Sequence, residues 1–262
     1  MQGICHHAQG SWDIWCLSDG AYTFDAADFP GVSEGARDAH LAAAGLSEIQ
    51  TAFNAFLLRD AEGAFSLIDC GCGALYGKIA GKLGALLDLL EVTPAQIRRL
   101  IFTHLHGDHC GGALDNTTLV FPNAQVILHA DEAAFWRGED AFARDVLAAY
   151  AGQTRIVQDD QEIAMCLRTV ALPGHTPGHM GVLIDGKTLI AGDIVHSEAL
   201  QFPDPEVCSV HDMDPPVAIA SRKRAMGMIV DEGLVFSGGH ILAADKFARL
   251  ARDGRGFTKV TL

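Results

Sequence analysis

Residues Leu100-Ile101-Phe102-Thr103 form a short apolar run of the kind that fills a strand buried on both faces, and His104-Leu105-His106-Gly107-Asp108-His109 follows directly. Three imidazoles and a carboxylate thus leave the end of a buried strand within six residues. As plain surface residues they would make an ordinary polar loop. Gly107 and Gly111-Gly112, however, signal a tightly turned backbone that gathers side chains. Neutral imidazole and carboxylate oxygen are the donors that suit a borderline divalent metal such as zinc, so metal binding is the expected use of this segment.

The rest of the chain reads as alternating strands and helices. Residues 12–17 alternate like a strand and run into the turn Ser18-Asp19-Gly20. Residues 24–50, rich in Ala, Gly and Asp with a modest helical pattern around Ala36, His40, Leu41 and Ala44, suit a surface excursion or lid. Residues 53–59 and 64–69 predict a hairpin about Asp60-Ala61-Glu62-Gly63. Leu75, Ile79, Leu83, Leu86, Leu87 and Leu90 recur at helical spacing, and Thr93-Pro94-Ala95-Gln96 offers the start of a second helix. Further along, strands are expected at 125–129 and 163–172, a helix at 139–150, and a hairpin of 182–184 with 188–190 about Asp185-Gly186-Lys187. Asp214-Pro215-Pro216 caps a helix reaching Ile229, and 234–236 is a last strand. With no repeat, low-complexity tract or linker, 1–262 reads as one α/β domain.

Three later turns place a metal-capable residue beside glycine after an apolar strand: Pro173-Gly174-His175, Gly192-Asp193 and Gly238-Gly239-His240. Each is a weak signal alone. Together, and in this order after H-x-H-x-D-H, they resemble the metallo-β-lactamase superfamily from about Phe53 to the C-terminus. The resemblance implies an αββα sandwich of two mixed sheets flanked by helices. It also implies two divalent metal ions per chain, zinc first, with manganese, cobalt or iron as alternatives. His104, His106 and His175 would hold one ion, Asp108, His109 and His240 the other, and Asp193 would bridge them. Members that open β-lactams generally lack a carboxylate at that point, and the flavodiiron oxygen reductases carry Glu where His106 stands, so both activities are demoted. Asp69 looks like the family's aspartate that accepts a hydrogen bond behind the metal-binding loop. His179 resembles a structural partner of its Pro-Gly turn, and His6, His7, His40, His129 and His211 read as surface or packed histidines.

The run from Gly192 to Pro205 and the terminal Gly254-Arg255-Gly256-Phe257 look like the subgroup containing methyl parathion hydrolase and quorum-quenching lactonases. That resemblance implies opening of an N-acyl homoserine lactone or related ring by a metal-bridging hydroxide, with Asp108, Asp193 and His196 serving the reaction. A phosphotriesterase or arylesterase is the runner-up. A glyoxalase II-like thioesterase ranks lower; it needs a basic patch, for which Lys246, Arg249, Arg252, Arg255 and Lys259 are candidates. His196 stands three residues after the bridging Asp, where Bacillus-type homoserine lactonases carry a Tyr that hydrogen-bonds the substrate carbonyl. It is expected either to aid the leaving group or to pack as an ordinary histidine. Phe24, Phe29, Phe135, Trp136 and Phe202 are candidates for an apolar pocket, each equally suited to plain core. A non-catalytic metal scaffold fits less well, because structural zinc sites usually close four ligands around one metal.

Composition narrows the partners. Lys and Arg total 19 against 33 Asp and Glu, a formal charge of −14, which opposes a phosphate-rich polymer. The expected partner is a small ester or lactone, with neither nucleic acid nor a membrane and with a homodimer left open. Seven cysteines without a C-x2-C pair suggest free thiols, and the N-terminal residues lack the basic and apolar regions of a signal peptide, so a cytoplasmic location is expected.

Overall fold

The computed structural model describes residues 3–139 and 141–262. One seven-stranded sheet contains β1 (Ile4–Gln9), β2 (Trp12–Phe24), β3 (Ile49–Arg59), β4 (Phe65–Ile68), β5 (Ile97–Ile101), β6 (Gln125–His129) and β7 (Thr154–Val157), side by side in chain order. The other contains β8 (Glu162–Ala164), β9 (Leu167–Ala171), β10 (Met180–Ile184), β11 (Thr188–Ile190), β12 (Val235–Ser237), β13 (Ala248–Asp253) and β14 (Gly256–Thr261), again in chain order. Both are mixed: β4, β5, β6 and β7 run parallel to one another, as do β11 and β12, and the remaining neighbours are antiparallel.

Strand periodicity explains the layering. Ile14, Cys16, Phe56, Leu58, Ile68, Ile101 and Ile127 of the first sheet meet Leu167, Met180, Val182, Ile184, Ile190 and Val235 of the second in one buried cluster. Their immediate neighbours Leu17, Ala55, Leu57, Leu67, Leu100, Val126 and Leu128 point the other way and form a core with helices. Those helices are, among the seven α1 (Glu34–Ala43), α2 (Leu83–Leu89), α3 (Gly107–Cys110), α4 (Ala130–Arg137), α5 (Phe142–Ala149), α6 (Glu198–Gln201) and α7 (Pro215–Asp231), the four from α2 to α5. Ala225, Met226 and Ile229 of α7 cover the outer face of the second sheet. Central strands buried on both faces read as unbroken apolar runs, as expected for a sheet covered on two sides. The order is helix, sheet, sheet, helix. No helix among the described residues is long and apolar enough to cross a membrane.

Several expected elements have different bounds. The helical spacing from Leu75 becomes a helix only at Leu83, because Gly73, Gly77 and Gly81 adopt positive φ and leave Leu75 and Ile79 exposed. Thr93 and Gln96 form a capping box around a single 3-10 turn, since the chain must enter β5 at Ile97. The expected strand 163–172 is a hairpin, turned at Cys166 with φ 58°. The expected helix 139–150 begins at Phe142 and is preceded by α4; its residue 140 lies outside the described residues. Strands β1, β13 and β14 were not expected, their polar alternation being that of sheet edges rather than core. Within 24–50, α1 is largely exposed but docks through Leu41, with Phe29 and Ile49, on Ala199 and Leu200 of α6.

The functional consequence lies at the carboxyl ends of the parallel strands. Asp69 follows β4, His104 follows β5, Asp193 follows β11 and His240 follows β12. Open sheets present ligand-binding groups at such ends.

Candidate metal centre

Two groups of donor atoms meet here. In the first, His104 Nε2, His106 Nδ1 and His175 Nε2 lie 2.9 to 3.2 Å from one another. In the second, His109 Nε2 and His240 Nε2 stand 3.4 and 3.5 Å from Asp108 Oδ2. Asp193 Oδ2 sits between the groups, 2.9 Å from His240, 3.1 Å from His109, 3.5 Å from His175 and 3.6 Å from His104. These are the seven residues singled out as ligands, all brought to one place, with each group assembled as a potential cation site.

The outward nitrogens explain why the inward ones converge. His109 Nδ1 lies 2.8 Å from Asp69 Oδ2, His175 Nδ1 3.1 Å from Asp212 Oδ1, and His240 Nδ1 2.9 Å from the Ala52 carbonyl. His104 Nδ1 lies 3.1 Å from the Thr103 hydroxyl, which itself donates to Asp69 at 2.7 Å. An Nδ1–H donated outward leaves the Nε2 lone pair facing in. Several lone pairs aimed at one point repel unless a cation lies between them.

Asp69 therefore holds two strand ends, also accepting from the Thr103 amide at 2.8 Å, and it takes φ 57° to do so. His179 acts on the same framework: one nitrogen faces the Leu172 carbonyl and the other accepts from the Asp193 amide at 2.9 Å. Two further buried carboxylates carried no motif. Glu132 accepts from Leu105 N, Trp136 Nε1, Thr176 Oγ1 and Gly178 N, tying the loop of His104 and His106 to the loop of His175. Asp212 fixes His175 from the loop between α6 and α7. An acidic residue in a helical or turn sequence has no local signature for such a task; only the fold brings its donors.

Charge is consistent with a cation. Burial, with the neighbouring imidazoles, keeps His104 well below the ordinary histidine range and His106 down at about 3, so both are neutral and able to ligate. Burial works against protonation of His109 too, but Asp193, Asp108 and Asp69 outweigh it and hold His109 well above its ordinary value; Asp193, with Asp108, raises His240 against its own burial. Asp193 itself, despite burial, is held well below the carboxylate range by His109, His240 and His104. Carboxylates that draw protons onto buried imidazoles also draw a dication, and its binding releases those protons. Asp193 Oδ1 is buried without a hydrogen-bond partner among the described residues, as befits an oxygen whose carboxylate serves a metal. The residues present fit two divalent ions.

A cavity of about 400 Å³ opens over the donors, lined by Tyr22, Phe24, Phe53, Tyr76, His196 and His211 besides the site residues. Of the expected pocket aromatics only Phe24 belongs to it. Phe29 packs edge-on beneath Phe24, Phe202 is buried against Phe236, and Phe135 packs against the core beside Trp136. Trp136 lies behind His106, its indole N–H donated to Glu132. Aromatic content cannot distinguish a wall from the core behind it. Tyr22 and Phe53 lie inside β2 and β3 and Tyr76 at a turn between glycines, positions whose relation to the donors only the fold sets, and His211, expected to be bland, lies 5.8 Å from the Phe24 ring. His196 faces the cavity: its Nε2 is 3.9 Å from Asp193 Oδ2, its ring stacks 5.1 Å from that of His240, and neither ring nitrogen has a hydrogen-bond partner among the described residues.

Comparison with known proteins agrees with this architecture. The N-acyl homoserine lactonase AiiA of Bacillus thuringiensis subsp. kurstaki is 27% identical over 171 residues, 63% of this chain and 64% of its own length. The chain thus spans just under two thirds of that relative. The hydroxyacylglutathione hydrolase of Vibrio campbellii is 31% identical over 117 residues, 45% of this chain and 40% of its own. Among solved structures, AbOPH, a hydrolase in the β-lactamase superfamily, superposes with a TM-score of 0.90 at 24% identity, covering 100% of this chain and 98% of that one. AidC, a dizinc quorum-quenching lactonase in complex with its product N-hexanoyl-L-homoserine, gives 0.91 at 22% identity, covering 99% and 97%. Identities this low speak to the fold alone. The family model for the metallo-beta-lactamase superfamily matches residues 52–240, a span that begins before Asp69 and closes on His240, and the chain belongs to that superfamily.

Proposed function

We propose that the chain is a two-cation hydrolase that opens lactone rings, N-acyl homoserine lactones first among them. The observation that carries this reading is Asp193 Oδ2 set between two groups of inward-facing donors at the floor of an aromatic-walled cavity, with His196 beside it. When bound, a pair of divalent ions supplies hydroxide at neutral pH and polarises the carbonyl oxygen. His104, His106 and His175 would hold one ion, Asp108, His109 and His240 the other, and Asp193 would serve both. Tyr22, Phe24, Phe53 and Tyr76 give an acyl chain an apolar surface and keep water from the ring under attack.

His196 offers a hydrogen-bond donor beside Asp193. A neutral imidazole carries one N–H, and this buried one has no protein acceptor, which is costly unless a ligand provides it. Donated to the carbonyl oxygen or the departing alkoxide, it aids a poor leaving group more than a good one. The relatives named as lactonases support a lactone over a phosphotriester. A thioester of an acidic peptide is disfavoured, because the described residues lining the cavity include no Lys or Arg. Of the five basic candidates of the C-terminal region none lines the cavity, and four are engaged elsewhere: Lys246 with the Ile241 carbonyl, Arg252 with Asp231, Arg255 with Asp204 and Lys259 with Glu198.

A rate screen of the metal-loaded protein across lactones, nitrophenyl phosphotriesters, thioesters and β-lactams is expected to rank an N-acyl homoserine lactone highest by kcat/KM; a thioester or phosphotriester in first place overturns the substrate assignment. In the same screen His196→Ala is expected to slow an alkyl lactone ~10²-fold and a nitrophenyl phosphotriester far less. Equal, small losses on both, with metal content unchanged, would assign His196 to packing.

A further inference from the structure

We infer that Arg222 is a positioning residue that fixes His175 and, through the same guanidinium, the two cavity-lining segments on either side of it. Arg222 lies on α7, outside every motif of the site, and is fully buried. Its Nη2 donates to Asp212 Oδ2 at 2.9 Å, and the other oxygen of that carboxylate faces His175 Nδ1 at 3.1 Å. Its Nε donates to the Ile194 carbonyl, one residue beyond Asp193, and its Nη1 to the carbonyls of Pro205 and Val207 at 3.0 and 2.9 Å.

These acceptors lie on two pieces of chain, the turn after β11 and the loop between α6 and α7. Asp212 orients His175; Ile194 starts the turn that carries His196; Pro205 and Val207 belong to the loop that carries His211. Gln201 ties these pieces together, its Oε1 accepting from the His196 and Ser197 amides while its Nε2 donates to the Val207 carbonyl. A planar fork of five N–H donors can reach four acceptors on two chain segments at once; the ammonium of lysine, a single atom, cannot. Asp212 and Arg222 are each buried with the other as charge partner, so the carboxylate that steers His175 is itself held in one orientation. The second donor group has a separate set of supports, Asp69 and the Ala52 carbonyl, which Arg222 does not touch.

The inference rests on reading His104, His106 and His175 as holding a cation, and its consequence is asymmetric. Weakening Arg222 should loosen the cation at His175 while sparing the one at His109 and His240. The test is a cobalt(II) titration of the full chain, read by absorption and by the metal-shifted, solvent-exchangeable imidazole N–H resonances, for wild type, Arg222→Lys and the charge-neutral pair Arg222→Met with Asp212→Asn. Wild type should take two ions. Both variants should bind one of the two about 10- to 100-fold more weakly and show faster solvent exchange of the His175 Nδ1 proton, the N–H resonances of His109 and His240 keeping their shifts. Equal weakening of both ions, or wild-type binding in both variants, overturns the inference. So does failure of both variants to fold, which makes Arg222 a residue of the core. If wild type itself takes fewer than two ions, the reading of the site fails and this inference with it, a result visible before any variant is measured.

Discussion

Asp193→Asn is expected to release both cations and to lower hydrolysis on the order of 10³-fold, the largest effect of any single substitution in this site. One oxygen, Asp193 Oδ2, lies within 3.6 Å of four imidazole nitrogens drawn from both donor groups. The amide is isosteric but uncharged, and half of its orientations turn an N–H₂ toward the cations. Asp108→Asn provides the contrast, since Asp108 Oδ2 approaches only His109 and His240 and its loss should free a single ion. Elemental analysis of the purified variants, paired with lactone hydrolysis rates, checks both. Retention of two ions and a near wild-type rate in Asp193→Asn would remove Asp193 from the site.

Gly239→Ala should be nearly as damaging, although glycine touches no substrate and holds no metal. A Cβ at this position would collide with Asp193 Oδ1 and come within 2.7 Å of the His109 ring. Neither neighbour can yield without cost: the carboxylate is buried among imidazoles and the ring is held from behind by Asp69. The expected outcome is loss of at least one cation and about a 10²-fold fall in rate, with secondary structure retained by circular dichroism. Wild-type metal content in a folded Gly239→Ala protein would show that the floor of the site is softer than this packing implies. Gly152→Ala, at a position with neither a positive φ nor any atom within reach of the added Cβ, offers a control for the general cost of removing a glycine.

How much of this the sequence disclosed depends on the range of the interaction. The donor residues were legible because His104, His106, Asp108 and His109 crowd one turn, and because His175, Asp193 and His240 each stand beside glycine after an apolar strand. The sandwich was legible from apolar runs such as Leu100 to Phe102, whose alternate side chains enter two different cores. Local chain stiffness was harder to read, as the glycines that delay α2 to Leu83 show. Of the supports that depend on remote partners, Asp69 was named only through the family resemblance, and Glu132, which binds donors near His104 and near His175, and Arg222, which reaches back to Ile194, were not legible. The cavity wall failed for the same reason. Phe29 and Phe24 differ little in sequence context, yet one lies behind the other.

Whether two cations share one carboxylate is settled by crystallography of the metal-loaded protein with anomalous diffraction at the metal edge. Two peaks of similar height are expected on either side of Asp193 Oδ2, one among His104, His106 and His175 and one among Asp108, His109 and His240, with about two ions per chain by elemental analysis. A single peak in a fully active protein, or a second peak away from Asp193, would contradict a shared carboxylate.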